Sequence, residues 1–436
     1  MRFGTGKDII TPVAPMNIAC CGVFDRCFSK IHDDVYVRCL VLDDGKAKVV
    51  LMAFDLLFHD RLLNDAVAAY ANEKYGIDPA AVVLSYSHAH TAPAARGYNR
   101  GHHDDAYEEL LLQRSKACLD RAMCSLEEGT LEYGTFDADF NISRRGNMNG
   151  VFGNIPDFTY PRDREFWVLC VRDNAQDIRS ILTNYPCHPV FYPTKEGISA
   201  EFPGRLCQLL DTKYYGCTSL FFQSTAGDVR PRSTVDTKKM AEGAVWSWPW
   251  RQDTDFTDVN KLAQAMCDAV SALIACGDLK QAKLSLAADA FTIDLPMDGR
   301  PLSYFEKKMQ EMEKDADNPN RFNAFYIAQG GYASLADSLP LHCQTIRITD
   351  QLYIATVGGE PCFGVKKAIK KAFPDKDLLF IGYTDACAYI VDDRVLAEGG
   401  YEPTCHLEYC LKGPFMPGLD KRYTDSFSAS MKRIGK

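Results

Sequence analysis

The chain has 436 residues and a formal net charge of −9; 46% are hydrophobic and 25% charged, the make-up of a globular protein that can fill a core. Disorder, collagen and coiled coil are excluded, and an acidic balance with no Lys/Arg block excludes a nucleic-acid groove as the main business. The longest apolar runs, such as 49–57, stop far short of the ~20 residues of a membrane helix, and Asp55 interrupts that one. Residues 1–10 carry Arg2, Lys7 and Asp8 and lack the apolar stretch of a signal peptide. The 17 cysteines are odd in number, irregularly spaced and without a CxxC, so they read as reduced thiols and buried small hydrophobes of a cytoplasmic protein.

In chain order, the first signal is a hairpin: Val/Leu-rich arms at 35–42 and 46–54 flank Asp43-Asp44-Gly45, which supplies the positive φ of a tight turn. A helix follows over 62–75, closed by Gly76 as its C-cap, then a short buried strand over 80–85. Helical spacing recurs at 104–125, 204–212, 257–275, 301–315 and 361–373. Strands are expected at 130–138, 165–172, 177–186, 218–223, 281–294, 341–349, 352–358 and 378–383. Several strands adjoin without an intervening helix, so the pattern predicts one large α/β (mixed α+β) domain over 1–436 rather than an alternating parallel sheet. Two long excursions, 231–257 with Trp246, Trp248 and Trp250, and 315–338 with Gly330-Gly331, read as ordered pocket walls or lids.

The chemistry gathers where strands end. His88-Ala89-His90 follows the strand 80–85, and in extended backbone residues i and i+2 share a side, so two imidazoles converge there as a metal would require. His102-His103-Asp104-Asp105 sits at a helix start and reads as a cap. His188 ends the strand 177–186 and is pinned by Pro186 and Pro189, which remove it from the sheet ladder. The turn Thr225-Ala226-Gly227-Asp228-Val229-Arg230-Pro231 lets backbone approach a ligand and carries an acid and a base. Glu360 lies before Pro361 at an expected helix start, as a capping carboxylate or a metal ligand. Tyr389 and Tyr401 take no role from their own surroundings.

In their order, these segments resemble the catalytic N-terminal domain of the neutral/alkaline ceramidase family, zinc-dependent amidases. The motifs are Gly4 to Pro12 with Asp8-Ile9-Ile10-Thr11, Ser87-His88-Ala89-His90-Thr91-Ala92-Pro93, Asn141-Ile142-Ser143-Arg144-Arg145, Asn184 to Pro189, Ile198-Ser199-Ala200-Glu201-Phe202-Pro203-Gly204, the 225–231 turn and Gly359-Glu360-Pro361. The resemblance implies one Zn2+ held by His88, His188, Glu360 and Tyr389. It implies that His90 handles protons, that Tyr401 and one of Arg144 or Arg145 stabilise an oxyanion, and that Asp228 and Arg145 help bind substrate. Arg230 stands where the family carries a catalytic serine; a guanidinium there cannot act as a nucleophile and favours a carboxylate, phosphate or sulfate on the substrate.

The expectation is therefore a cytoplasmic zinc-dependent hydrolase of an amide or related bond in a small polar substrate, anionic if Arg230 faces it. No C-terminal β-sandwich domain, no stable membrane association and no nucleic-acid partner are expected. The alternative from this resemblance is a relic that binds a metal or small molecule without turnover. A TIM-barrel amidohydrolase also begins with HxH on a strand, but His342 and His406 have no matching context.

Overall fold

The structure, a computed structural model, describes residues 1–19, 27–96, 104–194, 196–242, 249–313 and 320–435. The predicted hairpin forms as Tyr36–Asp43 and Lys48–Phe54, with Asp43 facing Lys48 across the turn. Gly45 adopts φ 87°, and the Asp43 and Asp44 carboxylates accept the turn's backbone N–H groups. Both arms are buried almost throughout, which explains why they read as continuous apolar runs rather than alternating ones.

This hairpin lies toward one end of a large sheet whose strands run Thr218–Gln223, Ile178–Tyr185, Glu165–Asp173, Glu127–Asp137, Arg2–Ile9, Tyr36–Asp43, Lys48–Phe54 and Val82–Tyr86. The end pairs are parallel and the middle is antiparallel, which excludes the parallel barrel of the amidohydrolase alternative. The parallel strands Ile178–Tyr185 and Val82–Tyr86 deliver the segments that carry His188 and His88. A second sheet, Ala287–Pro296, Ser338–Arg347, Leu352–Val357 and Asp377–Ile381, contributes Glu360 just beyond one of its strands. A third, Val229–Pro231, Asn141–Met148 and Val151–Asp157, carries Arg144 and Arg230. The whole is one mixed α/β domain of several sheets with helices packed on them.

The helix Arg61–Tyr75 ends at Gly76 in the left-handed conformation, as the sequence predicts. Asp104 caps Asp105–Cys124 by accepting from the Tyr107 N–H; His102 and His103 of that predicted cap lie outside the described residues. Trp246 and Trp248 also lie outside them, while Trp250 is buried and bridges back to Val235. The described cysteines are free thiols, and most are buried. Among the described residues, no helix is long and apolar enough to cross a membrane.

One expectation is corrected. Glu360 and Pro361 do not open the helix predicted over 361–373. They form a two-residue strand parallel to Tyr389–Ile390, and the helix Phe363–Lys370 starts after Cys362.

Candidate metal centre

His88 and His90 converge, with ring centroids 4.9 Å apart, but not as neighbours on an extended strand. His88 has φ 66° and its backbone N–H donates to Leu56, so a turn beyond the strand Val82–Tyr86 brings the two rings together. His188 joins them, 4.5 Å from His88 and 5.0 Å from His90 between centroids. Ring nitrogens of His88, His90 and His188 lie within 4.8 Å of one another, a set able to chelate a metal ion.

The backs of two rings are fixed. His88 Nδ1 lies 3.1 Å from the Leu57 carbonyl and His188 Nδ1 3.1 Å from the Ala226 carbonyl. A carbonyl only accepts, so each Nδ1 carries the proton and each Nε2 presents a lone pair to the centre. Burial, with the Arg144 charge nearby, holds His90 and His188 well below the usual histidine range, which keeps them neutral as metal ligation requires. His90 Nε2 lies 3.0 Å from His188 Nε2, and the Tyr192 hydroxyl lies 2.9 Å from His90 Nδ1.

Glu360 completes the constellation. Its Oε2 lies 3.3 Å from His88 Nε2 and 3.9 Å from His188 Nε2, buried and without a hydrogen-bond partner. Its Oε1 accepts from the Tyr409 hydroxyl. An orphaned carboxylate oxygen facing two imidazole lone pairs fits a cation and little else. The turn that supplies Ala226 reaches the Glu360 ladder only because residue 227 is glycine: a Cβ there would sit 2.6 Å from the Glu360 carbonyl oxygen.

A cavity of about 150 Å³ opens on this cluster, lined also by Arg144, Arg230, Tyr389 and Tyr401. Arg144 donates Nε–H to Glu402 (3.1 Å), lies over the Tyr389 and Tyr401 rings at 5.2 and 5.4 Å, and leaves a buried Nη2 without a partner. Tyr401 is 37% exposed, and its hydroxyl donates to Glu408, another lining residue. Arg230 is buried, its guanidinium 4.4 Å over the Trp250 ring. Burial pushes the Tyr389 phenol well up against the opposing pull of Arg144.

Two expected substrate contacts lie elsewhere. Arg145 is not among the residues lining the cavity: it bonds Glu402, Glu398, the Gly399 carbonyl and the Tyr160 hydroxyl. Asp228 is also off the cavity. Its buried carboxylate accepts from the Phe363 N–H at the start of the helix Phe363–Lys370, and burial pushes its pKa up to about 7.

The structure gives contacts at or behind the site to residues that sequence reasoning left without a role: Tyr192, Tyr409, Glu402, Glu201 and Gln223. Gln223 is fully buried, accepts from the Cys187 N–H and donates to the Ser87 and Cys187 carbonyls, tying together the segments that precede His88 and His188. Glu201 is fully buried at φ 48°, and accepts from the Thr91 hydroxyl and the Phe191 N–H. The sequence signal for both was a polar residue at a strand or helix boundary, which is common and points nowhere by itself.

No protein-family profile matches the sequence, and no curated protein matches it either. Among solved structures, the chain is similar to the neutral ceramidase from Pseudomonas aeruginosa, with a TM-score of 0.73 and 18% identity over 99% of this chain and 75% of that one. It is likewise similar to a ceramidase complexed with C2, with a TM-score of 0.72 and 16% identity over the same shares of the two chains. At such identities the likeness is one of fold across the full length of this chain.

Proposed function

We propose that this protein is a zinc-dependent hydrolase of the cytoplasm that cleaves an amide or related bond in a small polar, anionic substrate. The observation that carries the reading is the unpartnered Glu360 Oε2 set against the Nε2 atoms of His88 and His188. His88, His188, Glu360 and Tyr389 would hold the ion; when bound, it supplies Lewis acidity that polarises a carbonyl and lets water ionise near neutral pH. Arg144, whose Nη2 is buried without a partner beside the cavity, would stabilise negative charge that develops on a carbonyl oxygen there, and Tyr401 would join it only by turning its hydroxyl away from Glu408. His90, neutral and set between His188 and the Tyr192 hydroxyl, carries the proton to the departing amine. The cavity is small beside the roughly 300–1,000 Å³ of drug-sized sites, which supports a short substrate over a two-chain lipid. The free thiols support a reducing compartment.

Metal content and turnover test this together. Purified or reconstituted protein should hold one zinc per chain and hydrolyse members of a panel of short N-acyl compounds. His88→Ala and His188→Ala should lose both the metal and the turnover. Protein that cannot be loaded with any divalent metal would remove the basis of the reading.

A further inference from the structure

The hydrolase reading leaves open what separates an amide from a related bond, and the unpaired polar atoms around the cavity bear on it. Glu360 Oε2, Arg144 Nη2 and Asn154 Oδ1 belong to residues lining this cavity, and each is buried with no hydrogen-bond partner. A buried polar atom left unpaired costs about 1–3 kcal/mol. Native proteins keep few of them, and at a site they mark where a ligand completes the bonding. The three differ in kind. Glu360 Oε2 is an anion suited to the metal ion, Arg144 Nη2 is a donor, and Asn154 Oδ1 is a neutral acceptor.

Asn154 owes its place to an irregularity in the sheet. It lies on the strand Val151–Asp157, whose partner Asn141–Met148 carries Arg144. At Arg145 the register shifts, so that Asn154 and Ile155 both face that one residue. A bulge of this kind breaks the alternation of side chains and re-aims one of them, as is common beside active sites. The Asn154 carbonyl also accepts from the Trp250 Nε1–H at 2.9 Å, which holds the backbone at the bulge. Asn154 and Arg144 thus reach one cavity from paired strands of one hairpin, an acceptor and a donor.

A secondary amide complements that pair: its carbonyl oxygen accepts and its N–H donates. The two point in opposite directions across a planar trans amide, so a bond at each end fixes the plane of the group. An ester or an N-methyl amide keeps the carbonyl but lacks the donor, and would leave Asn154 Oδ1 unpaired. Resting on the hydrolase reading of this site, we propose that Asn154 is a specificity-determining residue whose Oδ1 accepts the N–H of the scissile bond, so that secondary amides are cleaved in preference to esters and tertiary amides.

The test uses zinc-loaded full-length protein and three compounds of one shape and charge: N-acetylglycine, N-acetylsarcosine and O-acetylglycolate, which are a secondary amide, a tertiary amide and an ester. Each rate is set against alkaline hydrolysis of the same compound, which removes differences in intrinsic reactivity. On that scale N-acetylglycine should exceed the other two in kcat/KM by roughly 10- to 100-fold, the effect of leaving a buried acceptor unpaired. Asn154→Leu should bring the three within a few-fold of each other. Asn154→Asp, which keeps an acceptor and has no donor, should retain the preference. Far-UV circular dichroism shows whether each variant folds, and the wild-type series decides without either. A binding arm is independent of catalysis: the same compounds are titrated into wild type and Asn154→Leu by ligand-observed NMR. Binding of N-acetylglycine that weakens by roughly 10-fold or more in Asn154→Leu, with N-acetylsarcosine little changed, supports the assignment even where nothing is hydrolysed; that outcome would sink only the hydrolase reading. Equal treatment of the three by wild type, an equal loss of all three in Asn154→Leu, or Asn154→Asp behaving as Asn154→Leu would overturn the assignment. So would neither binding nor turnover of N-acetylglycine.

Discussion

Glu360 and Tyr389 are register partners in a two-residue parallel ladder, Glu360–Pro361 against Tyr389–Ile390. That pairing sets a carboxylate and a phenol side by side at the mouth of the histidine cluster, with the Glu360 N–H donating to Ala388 and the Cys362 N–H to Ile390. The ladder, rather than a helix end, therefore fixes where Glu360 points. Glu360→Gln is predicted to reduce zinc affinity by about 100-fold or more, because the amide loses the charge that faces two imidazoles. Tyr389→Phe should cost about 10-fold. Competition with a chromophoric chelator measures both; wild-type affinity in Glu360→Gln would refute the carboxylate's role as a ligand.

Gln223 offers a second check, through residues that touch no metal. Its side chain satisfies four buried backbone groups: the Cys187 and Ser224 N–H groups and the Cys187 and Ser87 carbonyls. Gln223→Leu leaves these orphaned at about 1–3 kcal/mol each, so the variant should lose several kcal/mol of stability. Gln223→Glu retains the acceptor but replaces the donor by a carboxylate facing two carbonyls. It should loosen zinc by roughly 10- to 100-fold while retaining the fold, the range expected when support behind a ligand is removed. Zinc binding equal to wild type in folded Gln223→Glu would show that the two histidine segments are held by other means.

How much of this was legible in the sequence depends on how local each constraint is. The hairpin 36–54 and the helix closed by Gly76 were legible because turn chemistry and apolar runs act within a few residues. His188 was legible because two prolines mark a strand end that cannot continue. His88 was found for a reason that does not hold: the expected i, i+2 geometry is replaced by a left-handed residue. Glu360, expected as a metal ligand, was set at a helix start because its true backbone partner arrives from Tyr389, far along the chain. The hairpin Asn141–Met148 with Val151–Asp157 was missed, since Arg144 and Arg145 break any apolar alternation and a bulge at Arg145 shifts its register. The helix Leu419–Ile434 was overlooked although Leu419, Tyr423, Phe427 and Ile434 hold helical spacing. Arg145 and Asp228 were carried by resemblance to roles that their contacts give to the frame instead.

Glu402 is part of that frame. One carboxylate joins Arg144 Nε and Arg145 Nη1, and all three side chains are buried. Glu402→Gln removes the negative charge that the two guanidiniums share through these contacts. Breaking one side of a buried ion pair costs about 3–5 kcal/mol, so thermal stability should fall sharply. Because Arg144 then loses its anchor, kcat should drop more than KM rises in the surviving fold. A stability loss below about 1 kcal/mol would mean that water or a neighbouring acid takes over the pairing.

His59 makes stability depend on pH. It sits between Asp60, the N-cap of the helix Arg61–Tyr75, and Glu108 in the helix Asp105–Cys124, with a hydrogen bond to each carboxylate's neighbourhood. Burial alone would lower its pKa; the bonds to Asp60 and Glu108 outweigh that and raise it from 6.5 to about 9. A raised folded-state pKa means that the native state holds a proton the unfolded chain has released, so stability falls as pH rises between those values. The contribution is fully present below about pH 6.5 and lost through about pH 9. The shift corresponds to about 3 kcal/mol at most. Urea unfolding of wild type and His59→Gln at pH 6, 7.5 and 9.5 should show a difference that is largest at pH 6 and shrinks as pH rises. A difference that is constant across this range would place the His59 effect in packing rather than in its charge.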